Sequence, residues 1–204
     1  MKKIGITGTI GSGKSTFAYL IREAGWPVFD ADASSRAFLQ KGTGSYDEIV
    51  AWFGPEVVDE QGNLINAAIS SRVFGNEENR LMLNAIIHPR VRADLLAFMA
   101  AHRQDKLVFA EVPLLYEAGW EDLFDQVVVL TCTEENAVAR LMRDRGYTRE
   151  QAEGRLRSQL SRDIQIAKAD KVIHNDGTAD MLAAETARWL KELEEGEENG
   201  TEDR

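Results

Sequence analysis

The sequence predicts an α/β fold in which a parallel sheet of about five strands is covered by helices on both faces. Short apolar runs alternate with segments of helical pattern along most of the chain, which is typical of such sheets. A glycine-rich stretch, TGTIGSGKST, directly follows the first apolar run. A long helical region separates the second apolar run from the third, and it indicates a helical subdomain inserted into the core.

Five short apolar runs are predicted to form the strands, because each is rich in apolar or β-branched residues and is bounded by turn or charged residues. They are 3–7, 27–29, 107–111, 127–131 and 171–174. Helical patterns are predicted over 15–24, where Gly25 follows, and over roughly 134–146, 148–168 and 178–194. His88-Pro89 is predicted to mark a helix start, since proline is favoured in the first turn.

The region between the second and third strands is mostly helical and is too long for a simple crossover connection. Turn signals interrupt it at Gly42, at Gly54-Pro55 and at Gly62. We therefore expect one domain over 1–194 that includes an insertion able to hold a second substrate. Its expected parts are a core at 1–32 and 105–194, a helical insertion at 33–104, a lid at about 140–160 and a disordered acidic tail at 195–204.

Composition excludes several classes of protein. The 204-residue chain carries a net charge of −10, which argues against broad nucleic-acid binding. It has no run of about 18 apolar residues, so we expect no membrane span. The N-terminus lacks a signal-peptide pattern and Cys132 is the only cysteine, so we expect a cytoplasmic protein, as a monomer or small homo-oligomer.

The glycine-rich stretch matches the phosphate-loop (P-loop) pattern G-x-x-x-x-G-K-[ST] from Gly8 to Ser15. Glycines allow successive backbone N–H groups to approach phosphate oxygens at the N-terminus of the following helix. Lys14 is expected to reach the β- and γ-phosphates of ATP, and Ser15 to ligate Mg²⁺. The alternative is a glycine-rich turn without a ligand. The expected fold is thus the three-layer P-loop NTPase fold, with loop contacts to ATP from Gly8, Gly11, Ser12, Gly13, Lys14, Ser15 and Thr16.

Three acids stand at predicted strand ends, where open parallel sheets bind their ligands. We expect Asp32 to act as the general base that accepts the proton of an attacking hydroxyl. Asp30 is expected either to cap a helix or to hold a metal-bound water. Glu111 could hold a metal-bound water or form a local pair with a neighbouring side chain. If Asp32 is not the base, Glu111 and Asp30 are the next candidates.

Seven arginines lie between Arg140 and Arg162, inside an otherwise acidic protein. One interpretation is a solvated helix face, as is usual for runs of charge. The other is a lid that brings a guanidinium to the transferring phosphoryl group. We favour Arg140 for this role, with Arg143 or Arg145 as the second arginine.

A GTPase is disfavoured because no N-K-x-D motif is present, and Asp59 to Gly62, which fits D-x-x-G, lies in a polar turn. A DNA-handling ATPase would want a basic surface or a longer chain. A regulatory module that binds nucleotide without transferring phosphate remains an alternative. The length, the helical insertion and the arginine segment favour a small-molecule kinase.

The chain resembles the dephospho-coenzyme A kinase family from Ile4 to about Leu193. The resemblance rests on Asp30-Ala31-Asp32 followed by Arg36, on Leu83 to Pro89, on Val112 to Glu117, on Arg140-Leu141-Met142, on Gln159 and on Ala169 to Asn175. It implies transfer of the ATP γ-phosphate to the ribose 3′-hydroxyl of dephospho-CoA, the last step of CoA synthesis, with Asp32 as base and Arg140 on phosphate. It further implies Asp30, Arg36, His88 and Leu114 as acceptor contacts, and Arg143 and Asn175 as ATP contacts.

Overall fold

The computed structural model describes residues 1–199, with side chains to 196, and divides into two compact units. One comprises Met1–Phe29 with the chain from Met99 onward, and the other comprises Asp30–Phe98. The first contains almost all of the sheet, and the second is largely helical. The expected insertion at 33–104 differs from the second unit by a few residues at each end.

Five strands form one sheet, as the sequence predicts. They are β1 (Lys2–Gly8), β2 (Val28–Asp30), β3 (Leu107–Glu111), β4 (Gln126–Thr131) and β5 (Lys171–His174). Their order across the sheet is β2-β3-β1-β4-β5, so β1 lies at the centre. β1 pairs in parallel with β3 and β4, and β4 pairs in parallel with β5. The carboxyl end of β1, where the glycine-rich loop begins, therefore lies between the carboxyl ends of β3 and β4.

One face of the sheet packs against α1 (Lys14–Glu23) and α9 (Ala179–Asn199). Ile4 and Ile6 of β1 point to this face and are fully buried there with Phe17 of α1. Trp189 of α9 stacks on Phe17, with ring centroids 5.5 Å apart, and meets Phe109 edge-on at 5.9 Å. The even-numbered positions of β1 thus fix α1, and with it the end of the loop that precedes α1.

On the opposite face of β1 stands Gly5, where an added Cβ would lie 2.7 Å from the Leu115 side chain. This close approach lets the segment after β3 cover the sheet, and α8 (Arg162–Lys168) contacts β4. Two more helices, α6 (Glu134–Arg145) and α7 (Arg149–Arg157), pack together around Val138, Leu141 and Ala152.

The second unit contains α2 (Ala31–Phe38), α3 (Gly44–Phe53), α4 (Asn66–Val73) and most of α5 (Glu77–Ala101). The prediction that His88-Pro89 starts a helix is wrong, because Pro89 lies inside α5. Pro89 cannot donate a backbone N–H. The guanidinium of the following residue, Arg90, donates to the Ile86 carbonyl at 2.5 Å, so a side chain adds to the hydrogen bonding of this stretch.

Two helix boundaries also differ from the sequence prediction. The helix expected over 148–168 is two helices, α7 and α8, because the Ser161 hydroxyl caps a new helix by accepting the Ile164 N–H. The last helix continues to Asn199 and does not stop near 194. The remainder of the predicted disordered tail, 200–204, lies outside the described residues.

Within residues 1–199, no helix combines the length and the apolar character that crossing a bilayer requires.

Candidate nucleotide and acceptor sites

The glycines of the loop occupy positions that no other residue could take without strain. Gly8 has a φ of +145°, and a Cβ there would lie 2.1 Å from the Leu130 carbonyl oxygen. Gly13 has a φ of +97° immediately before α1, and a Cβ there would lie 2.2 Å from Nδ2 of Asn175. The loop can therefore pass close to β4 and to the residue after β5 only with glycine at these points.

Lys14 begins α1, and its side chain is turned back into the loop. Its ammonium donates to the carbonyl oxygens of Gly8 and Thr9, each at 2.9 Å. Only 7% of the residue is exposed, so a positive charge is held inside the concave loop by carbonyl dipoles. This is the charge that a phosphate chain requires.

Ser15 and Glu111 place a hydroxyl and a carboxylate side by side. The Ser15 hydroxyl donates to Oε1 of Glu111 at 2.8 Å, so the acid at the end of β3 meets the first turn of α1. Nearby, the Ser12 hydroxyl oxygen is buried and has no hydrogen-bond partner among the described residues. Thr16, also in the first turn of α1, is exposed.

Arg140 and Asn175 contact the loop from the other side. The Asn175 side chain donates to the Ser12 carbonyl at 2.8 Å. The Arg140 guanidinium donates to the Gly11 carbonyl at 3.2 Å and to the Asn175 carbonyl at 2.7 Å. The structure thus brings both predicted residues to the phosphate loop.

The other predicted arginines lie differently. The Arg143 guanidinium, on the exposed side of α6, forms a two-bond pair with the carboxylate of its neighbour Asp144, at 2.6 and 2.9 Å. Asp144 raises the pKa of Arg143, and Arg143 lowers the pKa of Asp144. Arg145, two residues on, is exposed at the end of α6. Neither has a hydrogen bond to the loop in the described part of the chain, whereas Arg140 has one.

Asp30 and Asp32 lie at the start of α2, in the second unit. Asp30 ends β2 and caps α2, because its Oδ1 accepts the Ala33 N–H at 2.8 Å. Asp32 lies in the first turn of the same helix and is exposed. The cap fixes the helix start, and so fixes where the Asp32 carboxylate leaves the backbone.

Arg36, in the last turn of α2, lines a pocket that lies wholly within the second unit. The pocket is shared with the turn after α2 and with the segment that leads into α4. Its lining residues are Arg36, Leu39, Gln40, Lys41, Asn63, Leu64 and Asn66. Two cations and three side-chain amides make it suitable for an anion.

Two further predicted acceptor contacts lie elsewhere. His88 is half-buried in the middle of α5, and burial lowers the pKa of its imidazole, which favours the neutral form at pH 7. Leu114 follows β3 in the first unit and is 43% exposed.

Three residues that contact the phosphate loop or the start of α6 were given no role in the sequence analysis. The Ile10 N–H donates to Oε1 of Gln159 at 2.7 Å. The buried Cys132 thiol lies 3.7 Å from the Gly11 carbonyl, and burial raises its pKa. Asp176 accepts the Thr133 N–H at 2.6 Å, a bond that lowers the pKa of its carboxyl. Among these residues, the sequence pointed only to Gln159, which is part of the resemblance to the dephospho-coenzyme A kinase family.

A parallel sheet with a glycine-rich loop after its central strand, a buried lysine and a serine–carboxylate pair defines the nucleotide-binding core of a P-loop NTPase. The family model for dephospho-CoA kinase matches residues 2–180. The chain belongs to the dephospho-CoA kinase family.

Individual members of this family are similar to this chain over nearly its whole length. A dephospho-CoA kinase of Geobacillus kaustophilus is 39% identical over 191 residues, covering 93% of this chain and 95% of that protein. One of Anaeromyxobacter dehalogenans is 42% identical over 198 residues, covering 96% and 94%. The solved structure of the dephospho-CoA kinase from Campylobacter jejuni superposes with a TM-score of 0.71 at 26% identity, covering 95% and 98%.

Proposed function

We propose that this protein transfers the γ-phosphoryl group of ATP to the ribose 3′-hydroxyl of dephospho-CoA, which yields CoA and ADP. The observation that carries the proposal is the phosphate loop with its buried Lys14, in a chain of the dephospho-CoA kinase family. In phosphoryl transfer the protein contributes mainly by positioning the substrates and by stabilising charge. A loop with an ammonium already held in its concave side supplies both to the ATP phosphates.

Mg²⁺ fits the residues present. Ser15 and Glu111 offer a hydroxyl and a carboxylate within 2.8 Å of each other, and Mg²⁺ prefers such oxygen ligands. Among the described residues no three acids, histidines or cysteines form a metal cluster. This agrees with a Mg²⁺ held by few protein ligands together with the substrate phosphates. Bound there, Mg²⁺ would neutralise charge on the phosphates, and Ser15 would ligate it, with Glu111 acting directly or through water.

The acceptor hydroxyl needs a group that takes its proton, and we assign this role to Asp32. An exposed carboxylate in the first turn of α2 is open to a substrate, whereas the Asp30 carboxylate is engaged as the helix cap. Arg140 would stabilise charge on the transferring phosphoryl group from its place beside Gly11. The role proposed for Arg143 requires it to exchange its pair with Asp144 for a phosphate oxygen.

We assign the pocket at Arg36 and Lys41 to the diphosphate of dephospho-CoA. The diphosphate is the strongly anionic part of this acceptor, and guanidinium groups bind such oxygens in bidentate fashion. We also place the enzyme in the cytoplasm, since its single cysteine is a buried free thiol that needs no oxidising compartment.

A coupled assay of ADP release tests the function. Purified protein with ATP and Mg²⁺ is given dephospho-CoA, and in parallel adenylate or shikimate. Of these three acceptors, we expect only dephospho-CoA to support turnover. Mass spectrometry of the product should show an added phosphate at the 3′ position. Turnover on another acceptor and none on dephospho-CoA would overturn the assignment. Binding of ATP without transfer to any acceptor would indicate a regulatory module instead.

A further inference from the structure

The linker between α7 and α8 contacts the phosphate loop through the side chain of Gln159. The Ile10 N–H, at the third position of the loop motif, donates to Oε1 of Gln159 at 2.7 Å. The two residues are 149 positions apart in the sequence, so the contact joins two separate segments of the first unit. Gln159 is half-buried, which limits competition from water.

The same peptide unit is held at its other end by Lys14. The carbonyl oxygen of Thr9 accepts the Lys14 ammonium at 2.9 Å and also the Ser12 N–H at 3.2 Å. The Thr9–Ile10 peptide therefore has Gln159 on its N–H and Lys14 on its C=O. Because a peptide is planar, rotation of one end moves the other. An acceptor on the Ile10 N–H thus fixes the direction of the oxygen that holds Lys14.

The linker that carries Gln159 is itself anchored. Oε1 of Glu117 accepts the Leu160 N–H at 3.1 Å, and the Gln165 side chain donates to the Leu160 carbonyl at 2.8 Å. The Ile10 side chain packs against the cluster shared by α6 and α7. Gln159 is therefore presented to the loop by a linker whose next residue, Leu160, is hydrogen-bonded at both its N–H and its carbonyl.

We infer that Gln159 is a positioning residue for ATP binding. It acts through the Thr9–Ile10 peptide to hold the Lys14 ammonium where the phosphates bind, and it needs no contact with either substrate. The inference rests on the proposed nucleotide site. Gln159 is expected to affect the binding of ATP, the phosphate donor, and not the binding of dephospho-CoA.

The test uses Gln159→Met, which keeps the length of the side chain and replaces the amide oxygen with a thioether, a much weaker acceptor. We expect the dissociation constant and the KM for ATP to rise about tenfold, the size expected when one well-placed hydrogen bond is lost, with an unchanged KM for dephospho-CoA. Hydrogen exchange at the Ile10 amide, followed by NMR without nucleotide, should speed up in Gln159→Met. It should stay slow in Gln159→Glu, whose carboxylate still accepts the bond.

Gln151→Met is the matched control. Oε1 of Gln151 also accepts a backbone N–H, that of Thr148 at 2.9 Å, but this bond lies at the start of α7 and not on the loop. Its ATP affinity should stay within about twofold of wild type, a change worth less than half of one such hydrogen bond. Gln159→Met with wild-type ATP affinity, or an equal loss in Gln151→Met, would overturn the inference. Failure of the wild-type protein to bind ATP would instead overturn the proposed function.

Discussion

At the scale of single residues, the main feature of the phosphate loop is the burial of the Lys14 charge. A buried ammonium is costly unless polar groups surround it, and the carbonyls of Gly8 and Thr9 serve here. Gly13 makes this possible, because its φ of +97° turns the chain into α1 at Lys14. The loop is thus arranged for phosphate by its own backbone.

The proposed base gives the first prediction at this scale. Asp32→Asn should lower kcat by about 10²- to 10⁴-fold, since an amide cannot take the proton of the acceptor hydroxyl. Binding of ATP, measured by titration, should be unchanged. Asp30→Asn is the matched control, because an asparagine side chain can still accept the Ala33 N–H and cap α2. A large loss of kcat in Asp30→Asn together with near-normal Asp32→Asn would show that the base is Asp30.

Much of the geometry of the phosphate loop was predictable from sequence, and the reason is local. Gly8, Gly13 and Lys14 act within one short segment, where spacing alone determines geometry. The contact between Gln159 and Ile10 depends on where an anchored linker meets the loop. No periodicity or spacing describes such a bond, so it had to be seen in the structure.

At the scale of elements, α9 holds the sheet and α1 together through an aromatic cluster. Trp189 is 3% exposed and contacts both Phe17 and Phe109. We predict that Trp189→Ala lowers the free energy of unfolding by about 3–5 kcal/mol, since a large cavity would remain between α9 and the sheet. Urea unfolding followed by circular dichroism measures this change.

Trp52 provides the control for that substitution. It is 43% exposed on α3, and its indole N–H donates to Asn79 at 3.0 Å. Trp52→Ala should cost about 1–2 kcal/mol, clearly less than Trp189→Ala, because much of the indole is already exposed to solvent. Equal losses in the two variants would contradict the assignment of Trp189 to the core that supports the loop.

The elements themselves were predicted well where one signal dominates. The β-branched run of β4 strongly favours a strand, and the glycine-rich turn before α1 strongly indicates where that helix begins. Two errors arose where signals compete. Pro89 is compatible with a first helical turn, yet the helical pattern on both sides continues through it in α5. Ser161 could belong to a helix interior or to a cap, and only its bond to the Ile164 N–H shows which.

At the scale of the whole molecule, each unit has its own cationic site. The first has Lys14 within the phosphate loop, and the second has Arg36 and Lys41 at a pocket. The net charge of the chain is −10, so these positive sites stand out against an acidic protein. Under the proposed function, ATP would bind at the first of these sites and dephospho-CoA at the second.

The last prediction separates the two sites kinetically. Lys14→Met should raise the KM for ATP and lower kcat at least about 100-fold, because it removes a charge from the transferring phosphate. Arg36→Gln should raise the KM for dephospho-CoA about tenfold and leave the KM for ATP unchanged, since one charged hydrogen-bonding group is lost from the acceptor pocket. Initial rates measured with each substrate varied in turn give both constants.

Arg72→Gln serves as the control within the second unit. The Arg72 guanidinium pairs with the Glu56 carboxylate at 3.3 Å, and neither residue lines the pocket. We therefore expect the KM for ATP and the KM for dephospho-CoA to stay unchanged. If Arg36→Gln changed the KM for ATP and not that for dephospho-CoA, the pocket would belong to the donor. If Arg36→Gln and Arg72→Gln behaved alike, the pocket would have no part in binding either substrate. A change confined to the acceptor in Arg36→Gln, and to ATP and kcat in Lys14→Met, is the result that a two-site kinase requires.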